Sequence, residues 1–204
     1  MVIPTPDGFE EAASQFDSVK TRFTATEDPG NDMLAVHMLT GDCEKLRHGE
    51  AGSLNFYTKI SIRKAARETD FSALEFAAIP TEFRKNGATL LDINGPQMKA
   101  SLDHIDKALS ELSENKTKIE MGQPENLGEF DNRPNVYGIM LLVNITVQSG
   151  DNRRVEPLLG TISFVRVKQR LLFVYTYRRY ESKADIEVVR DFAKHWIDSI
   201  LAAN

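Results

Sequence analysis

Apolar and polar residues alternate cleanly from Leu54 to Arg63. Leu54, Phe56, Thr58, Ile60 and Ile62 fall on one side, and Asn55, Tyr57, Lys59, Ser61 and Arg63 on the other. A period of two predicts a strand with one buried and one polar face. Three longer strands are expected further on, over Val136 to Val147, Leu158 to Val167 and Leu171 to Tyr177. In the first of these, Tyr137, Ile139, Leu141, Val143, Ile145 and Val147 make a fully apolar face. Val136, Gly138, Met140 and Leu142 carry the apolar character to the other side. Such a strand must be covered on both faces. Lys168-Gln169-Arg170 is short enough to join the last two strands as an antiparallel hairpin. MLAVHML, from Met33 to Leu39, reads as a buried strand after the turn signal Asp28-Pro29-Gly30-Asn31.

Helical spacing fills the gaps. Phe16, Val19 and Phe23 place a helix from about Asp17, while Gly8 to Ala13 fits either a helix or a short strand. Cys43 to His48 reads as a helical turn. Asp70 is positioned to cap a helix from Phe71, which Pro80 should kink or interrupt for want of an N–H. The clearest stripe is Met98, Leu102, Ile105, Leu109 and Leu112, with polar residues from Ser113 to Lys118 ending its helix. Gln123 to Asn135 holds a short strand around Leu127 to Phe130 between loops. Ile186, Val189, Ala193, Ile197 and Ile200, widened by Trp196, form the stripe of a closing helix behind a Ser182-x-x-Asp185 capping box. The expected architecture is α+β: one domain over residues 1–204, a three-layer α/β/α sandwich with a mainly antiparallel sheet and helices on both faces.

Composition narrows the function classes. With 204 residues, 41% hydrophobic and 27% charged, the chain is long enough to bury a core without disulfide or metal staples. Cys43 is the single cysteine and leaves the redox compartment open. A net charge of −5, with both signs mixed along the chain, offers no field for nucleic acid or anionic lipid. No apolar run approaches the roughly 18 residues of a membrane helix. MVIPTPDG has no basic stretch followed by an apolar one, which leaves two localisations open: cytoplasmic, or exported with the leader removed.

Three segments, IPTPDGF near the start, EDPGNDMLAVHM from Glu27 to Met38 and LLFVYTYRRYESKADIEVVRDFAKHWIDSILAAN from Leu171, resemble an uncharacterised bacterial protein family of the PsbP-like fold. That fold groups the extrinsic photosystem II protein with a Ran-binding nuclear-import factor. The resemblance implies a PsbP-like sandwich that acts by binding other proteins, and it transfers no functional residue. The helix from Met98 to Ser113 looks like an addition to the minimal fold, so the topology around it stays open.

Candidate chemistry is sparse. No G-x-S-x-G, P-loop, G-x-G-x-x-G, H-E-x-x-H or paired CxxC occurs, which disfavours the enzyme classes with strong signatures. Asp191, His195 and Asp198 share a helix face opposite the apolar stripe and read as solvated, with no second ligand cluster to complete a metal site. Cys43 with His37 and His48 offers a Cys–His nucleophile reading, but His37 alternates within an apolar strand and reads rather as a hydrogen-bonded core or half-buried histidine, and Cys43 as a small buried hydrophobe. The polar row Asn55, Tyr57, Lys59, Ser61 and Arg63 is either a groove with donors for a carboxylate or peptide, or an edge strand facing water. Arg178 and Arg179, at the exit of the last strand, are interaction candidates, and their joint replacement by alanine should leave folding largely intact. The expected function is a non-enzymatic binding or accessory module acting through protein contacts, without cofactor or metal. The alternative is a small hydrolase or ligand-binding enzyme on the polar sheet face.

Overall fold

The computed structural model describes residues 1–112, 117–149 and 152–204. Among these, the strands β1 (Phe9–Glu11), β2 (Asn31–Leu39), β3 (Phe56–Arg63), β4 (Thr117–Met121), β5 (Glu125–Arg133), β6 (Val136–Ser149), β7 (Asn152–Val167) and β8 (Arg170–Arg179) form one antiparallel sheet. The order is β1-β2-β3-β8-β7-β6-β4. β5 pairs with Val136 to Leu142 of β6, and β4 with Ile145 to Ser149. Among the described residues the helices are α1 (Asp17–Ala25), α2 (Thr40–Arg47), α3 (Ala73–Leu90), α4 (Pro96–Leu112) and α5 (Ala184–Ala202), with a 3-10 turn at Lys64–Ala66.

Alternation along the central strands feeds two cores. On one face Ile60, Ile62, Val165, Leu172 and Val174 pack under Trp196, Ile197 and Ile200 of α5. On the other, Tyr137, Ile139 and Leu141 meet Phe76 of α3 and the neighbouring Leu91, while Val36 and Met38 meet Val19 and Phe23 of α1 and Cys43 of α2. The helices therefore lie on both faces of the sheet in the expected sandwich. The β7–β8 connection is a two-residue turn with both central residues at positive φ, Lys168 at 46° and Gln169 at 62°. That is the primed geometry whose twist matches its strands.

Several expectations are revised. β3 is not an edge strand facing water, because β2 and β8 flank it. α3 runs through Pro80 to Leu90, and Pro80 itself is buried. The cap of α3 is not Asp70, which pairs with Arg170, but a box in which the Ser72 hydroxyl accepts from the Glu75 N–H and the Glu75 carboxylate accepts from the Ser72 N–H. At α5 only half of the expected box forms. The Asp185 carboxylate accepts from the N–H groups of Glu181 and Ser182, and no side-chain bond from Ser182 caps the helix. Gly8 to Ala13 holds the short strand β1, and β5 is longer than Leu127 to Phe130. Part of the expected polar end of α4, residues 113–116, lies outside the described residues. Lys118 belongs instead to β4.

Candidate binding cleft

The middle of the polar row of β3, Tyr57 to Ser61, does not face open water. Lys59 is largely buried and lies 3.0 Å from the Glu27 carboxylate, their side chains only 15% and 6% exposed. Ser61 donates a 2.5 Å bond to the same carboxylate, and the other Glu27 oxygen accepts from Asn31 and from the Asp28 N–H. Lys59 also sits 5.0 Å above the Tyr175 ring, its cross-strand neighbour. Beside it the Tyr57 and Tyr177 rings stack at 4.9 Å, and Tyr175 and Tyr177 lie nearly parallel. Burial pushes the Tyr57 hydroxyl up to about 12 and the Tyr177 hydroxyl well above its ordinary value. At neutral pH these phenols are hydrogen-bond donors and not bases.

Past this tyrosine stack the structure opens into a cleft of about 990 Å³. The start of α1 (Asp17, Ser18, Thr21, Arg22) forms one wall, and the end of α4 (Leu109, Leu112) with Ile119 of β4 another. Ile145, Val147 and Leu158 line it from the sheet, and Gly52 to Asn55 with Tyr57 close the remaining side. α4 is tied to β4 by a 2.7 Å bond from the Ile119 N–H to Asp106. Three arginines, Arg22, Arg154 and Arg179, border the cleft against two carboxylates, Asp17 and Glu156. Arg154 is paired with Glu156 at 3.1 Å. Among the described residues Arg22 and Arg179 have no ion-pair partner, so an acidic chain carries a locally basic cleft here. The volume matches sites that take small ligands or peptide side chains, apolar in most of their lining with a few convergent polar groups.

The six sequence candidates separate. Asn55, Tyr57 and Arg179 line the cleft, and the Arg179 N–H donates to the Asn55 carbonyl. Lys59 is held in the buried pair with Glu27, and Arg63 is exposed at the far end of β3. Arg178 and Arg179 point to opposite faces. Arg178 stacks 5.2 Å over Phe56 and donates a 2.7 Å bond to Asp185. Hydrogen bonds from the Glu181 and Ser182 N–H groups and from Arg178 hold that carboxyl below its usual range, against the opposing effect of its burial. Arg178→Ala is therefore expected to lower stability by about 1–2 kcal/mol, as loss of a charge-assisted bond to a buried partner does, and Arg179→Ala by less than about 0.5 kcal/mol. Paired urea titrations of the single variants measure the difference, and equal midpoints would contradict it. Sequence spacing missed Asp17, Arg22 and the α4 residues as parts of a site, since they converge only through the fold, whereas Arg154 belongs to the basic run Arg153-Arg154 that the sequence already offers as part of a basic rim for a protein partner.

The remaining chemical groups lie elsewhere. His37 is buried on the α5 face, its Nδ1 3.2 Å from the Thr58 hydroxyl and its ring edge-on to Trp196. Cys43 is buried on the inner side of α2, against Val36 and Met38, and burial raises its thiol. Asp198 pairs with Arg133 at 2.5 Å, and His195 Nδ1 meets the Asp191 carbonyl. Among the described residues no three His, Cys, Asp or Glu side chains group as metal ligands would. Nor, among them, is any helix long and apolar enough to cross a membrane.

No family model matches this chain, and no curated protein does. Among solved structures, a mutant of Protein Mog1 is similar over 97% of this chain and 85% of its own, at 12% identity and a TM-score of 0.37. At that distance nothing about the cleft passes from one protein to the other.

Proposed function

We propose that the protein is a non-enzymatic binding module that engages another protein, and that the cleft between α1, α4 and the β6–β7 hairpin is its working surface. One observation carries this reading: an apolar floor bordered by Arg22 and Arg179, two guanidinium groups without an ion-pair partner among the described residues. Such a floor draws apolar groups from water at about 25 cal/mol per Å² buried. A free guanidinium offers a carboxylate a forked pair of donors. Catalysis is disfavoured by the chemistry of the lining. Tyr57 is held neutral, Glu156 is occupied by Arg154, and neither His37 nor Cys43 lines the cleft.

The dye 8-anilinonaphthalene-1-sulfonate joins apolar rings to an anion and so matches this surface. The wild-type protein is expected to bind it with enhanced, blue-shifted fluorescence. Arg22→Ala combined with Arg179→Ala should weaken binding about tenfold, within the range for charged hydrogen bonds at a part-exposed rim. Leu109→Glu should abolish it. Equal affinity in all three proteins, or no binding by the wild type, would overturn the reading.

A further inference from the structure

β7 outruns its neighbour in the sheet. It starts at Asn152, but its ladder with β8 starts only at the pair Leu158↔Arg179. Arg153 to Glu156 are therefore laddered on one side alone, to Gln148, Val147, Thr146 and Ile145 of β6. The Pro157 carbonyl accepts from the Tyr180 N–H at 2.9 Å, so the backbone groups of residue 157 point away from β6. In an antiparallel strand these directions alternate, which turns the N–H and C=O of Val155 and Arg153 outward as well. Among the described residues no hydrogen bond outside the β6 ladder engages them, and Val155 is 52% exposed. This open edge borders the cleft, because Arg154, Glu156, Pro157 and Leu158 line it.

We infer that the partner enters as an extended acidic strand that adds to the open edge of β7 at Arg153 to Val155 and drops alternate side chains into the cleft. The inference rests on the cleft being the working surface. An added strand would satisfy four outward backbone groups, and every second side chain of it would face the same way as Arg154 and Leu158, onto the apolar floor. Charge selects the occupant. Arg22 and Arg179 border the edge on its cleft side together with Arg154, which is paired with Glu156, and Arg153 lies on the other face of the strand, where Glu120, which also attracts it, is already paired with Lys118 at 2.8 Å. A second copy of this chain laid on the same edge would bring its own Arg153 and Arg154 against this pair, a repulsion of the kind that keeps edges from self-pairing. An acidic segment turns the same arginines into attraction.

The test uses the whole 204-residue chain and a fluorescein-labelled nonapeptide in which one set of alternate positions carries valine at the centre and glutamate toward both ends, and the other set threonine, followed by fluorescence anisotropy. Binding is expected. It should weaken at least about tenfold when lysine replaces glutamate, as reversed charge pairs require. N-methylation of alternate peptide nitrogens, in the frame that faces β7, should have a similar effect, since it removes donors and leaves the side chains in place. Val155→Pro removes an outward N–H that the β6 ladder does not use, and should weaken the peptide while leaving the dye bound. If the methylated peptide binds as well as the parent in both frames, strand addition is wrong even though the cleft reading stands. Dye binding without any peptide binding overturns the partner class alone, and failure of both overturns the cleft reading with it. A concentration-dependent dimer that the peptide cannot displace, and that Val155→Pro abolishes, would give the edge to a second copy and overturn the inference.

Discussion

Replacing Glu27 by alanine should cost about 3–5 kcal/mol, the range found when one member of a buried ion pair is removed. Lys59 would then remain largely buried with its charge uncompensated, since Glu27 supplies its ion pair and its side chain is only 15% exposed. The Tyr175 ring would still lie beneath the ammonium. A ring quadrupole offsets only about 0.5–2 kcal/mol of the loss. Ser61, which donates to the same carboxylate, would lose its partner too. For a chain of this size the change amounts to a drop of about 6–20 °C in melting temperature. The mechanism makes a second, sharper demand. Glu27→Leu combined with Lys59→Met removes both charges, and should recover most of the loss because the desolvation of two ions vanishes with their attraction. Thermal melts of the two variants decide the matter. A double variant as unstable as Glu27→Ala would mean that Glu27 stabilises the fold through its bonds to Asn31, Asp28 and Ser61, and not by neutralising Lys59.

Glu27 also shows where reading the chain reaches its limit. It stands in EDPGN, which signals a turn, and nothing local says that a turn carboxylate will be 6% exposed. The available clue lay in β3, where a lysine sits mid-strand between residues of a tyrosine-rich sheet. Once β8 proved to be its neighbour, that lysine needed a counter-charge from outside the strand. Elements with their own apolar period were legible: the alternation of β6, β7 and β8 and the stripes of α4 and α5 follow from burial of one face at a time. β4 was not, because Thr117–Met121 offers only Ile119 and Met121 as apolar positions directly after a polar stretch. Its strand character comes from pairing with the far half of β6. The cleft was illegible for a related reason. Its walls come from α1, the segment before β3, α4, β4, β6 and β7, and residues so far apart in sequence have no common spacing to detect. Asn55, Tyr57 and Arg179 could be named beforehand only because two of them share an alternating strand and the third exits its neighbour.

The second large effect is a dependence of stability on pH that runs through one histidine. His37 is 1% exposed, and burial pushes its pKa down from 6.5 to about 4. The nearby Glu11 acts the other way and raises it. Burial works to raise the Glu11 carboxyl, but bonds from Ser14, Val36 and Ala13 outweigh it and keep that carboxyl below its ordinary value. Glu11 opposes the neutral state of His37 without reversing it. A depressed pKa in the fold means that the unfolded chain takes up the proton first. The stabilisation is therefore fully present above about pH 6.5 and is lost as the pH falls toward 4, where the folded ring finally protonates. The drop from 6.5 to about 4 corresponds to about 3–4 kcal/mol at the conversion of about 1.4 kcal/mol per pH unit. Near pH 5 the stability of the wild type should fall with acid more steeply than that of His37→Gln, by close to one proton's worth of slope. Glutamine keeps a polar group facing Thr58 but has no proton to gain in this range. Urea titrations of both proteins from pH 7.5 to 4 test the claim through the difference of slopes, which cancels the carboxylates that titrate in both. Parallel curves would show that the ring protonates in the folded state as readily as in the unfolded chain. In that case the edge-on packing against Trp196 must open to admit water before the fold is lost.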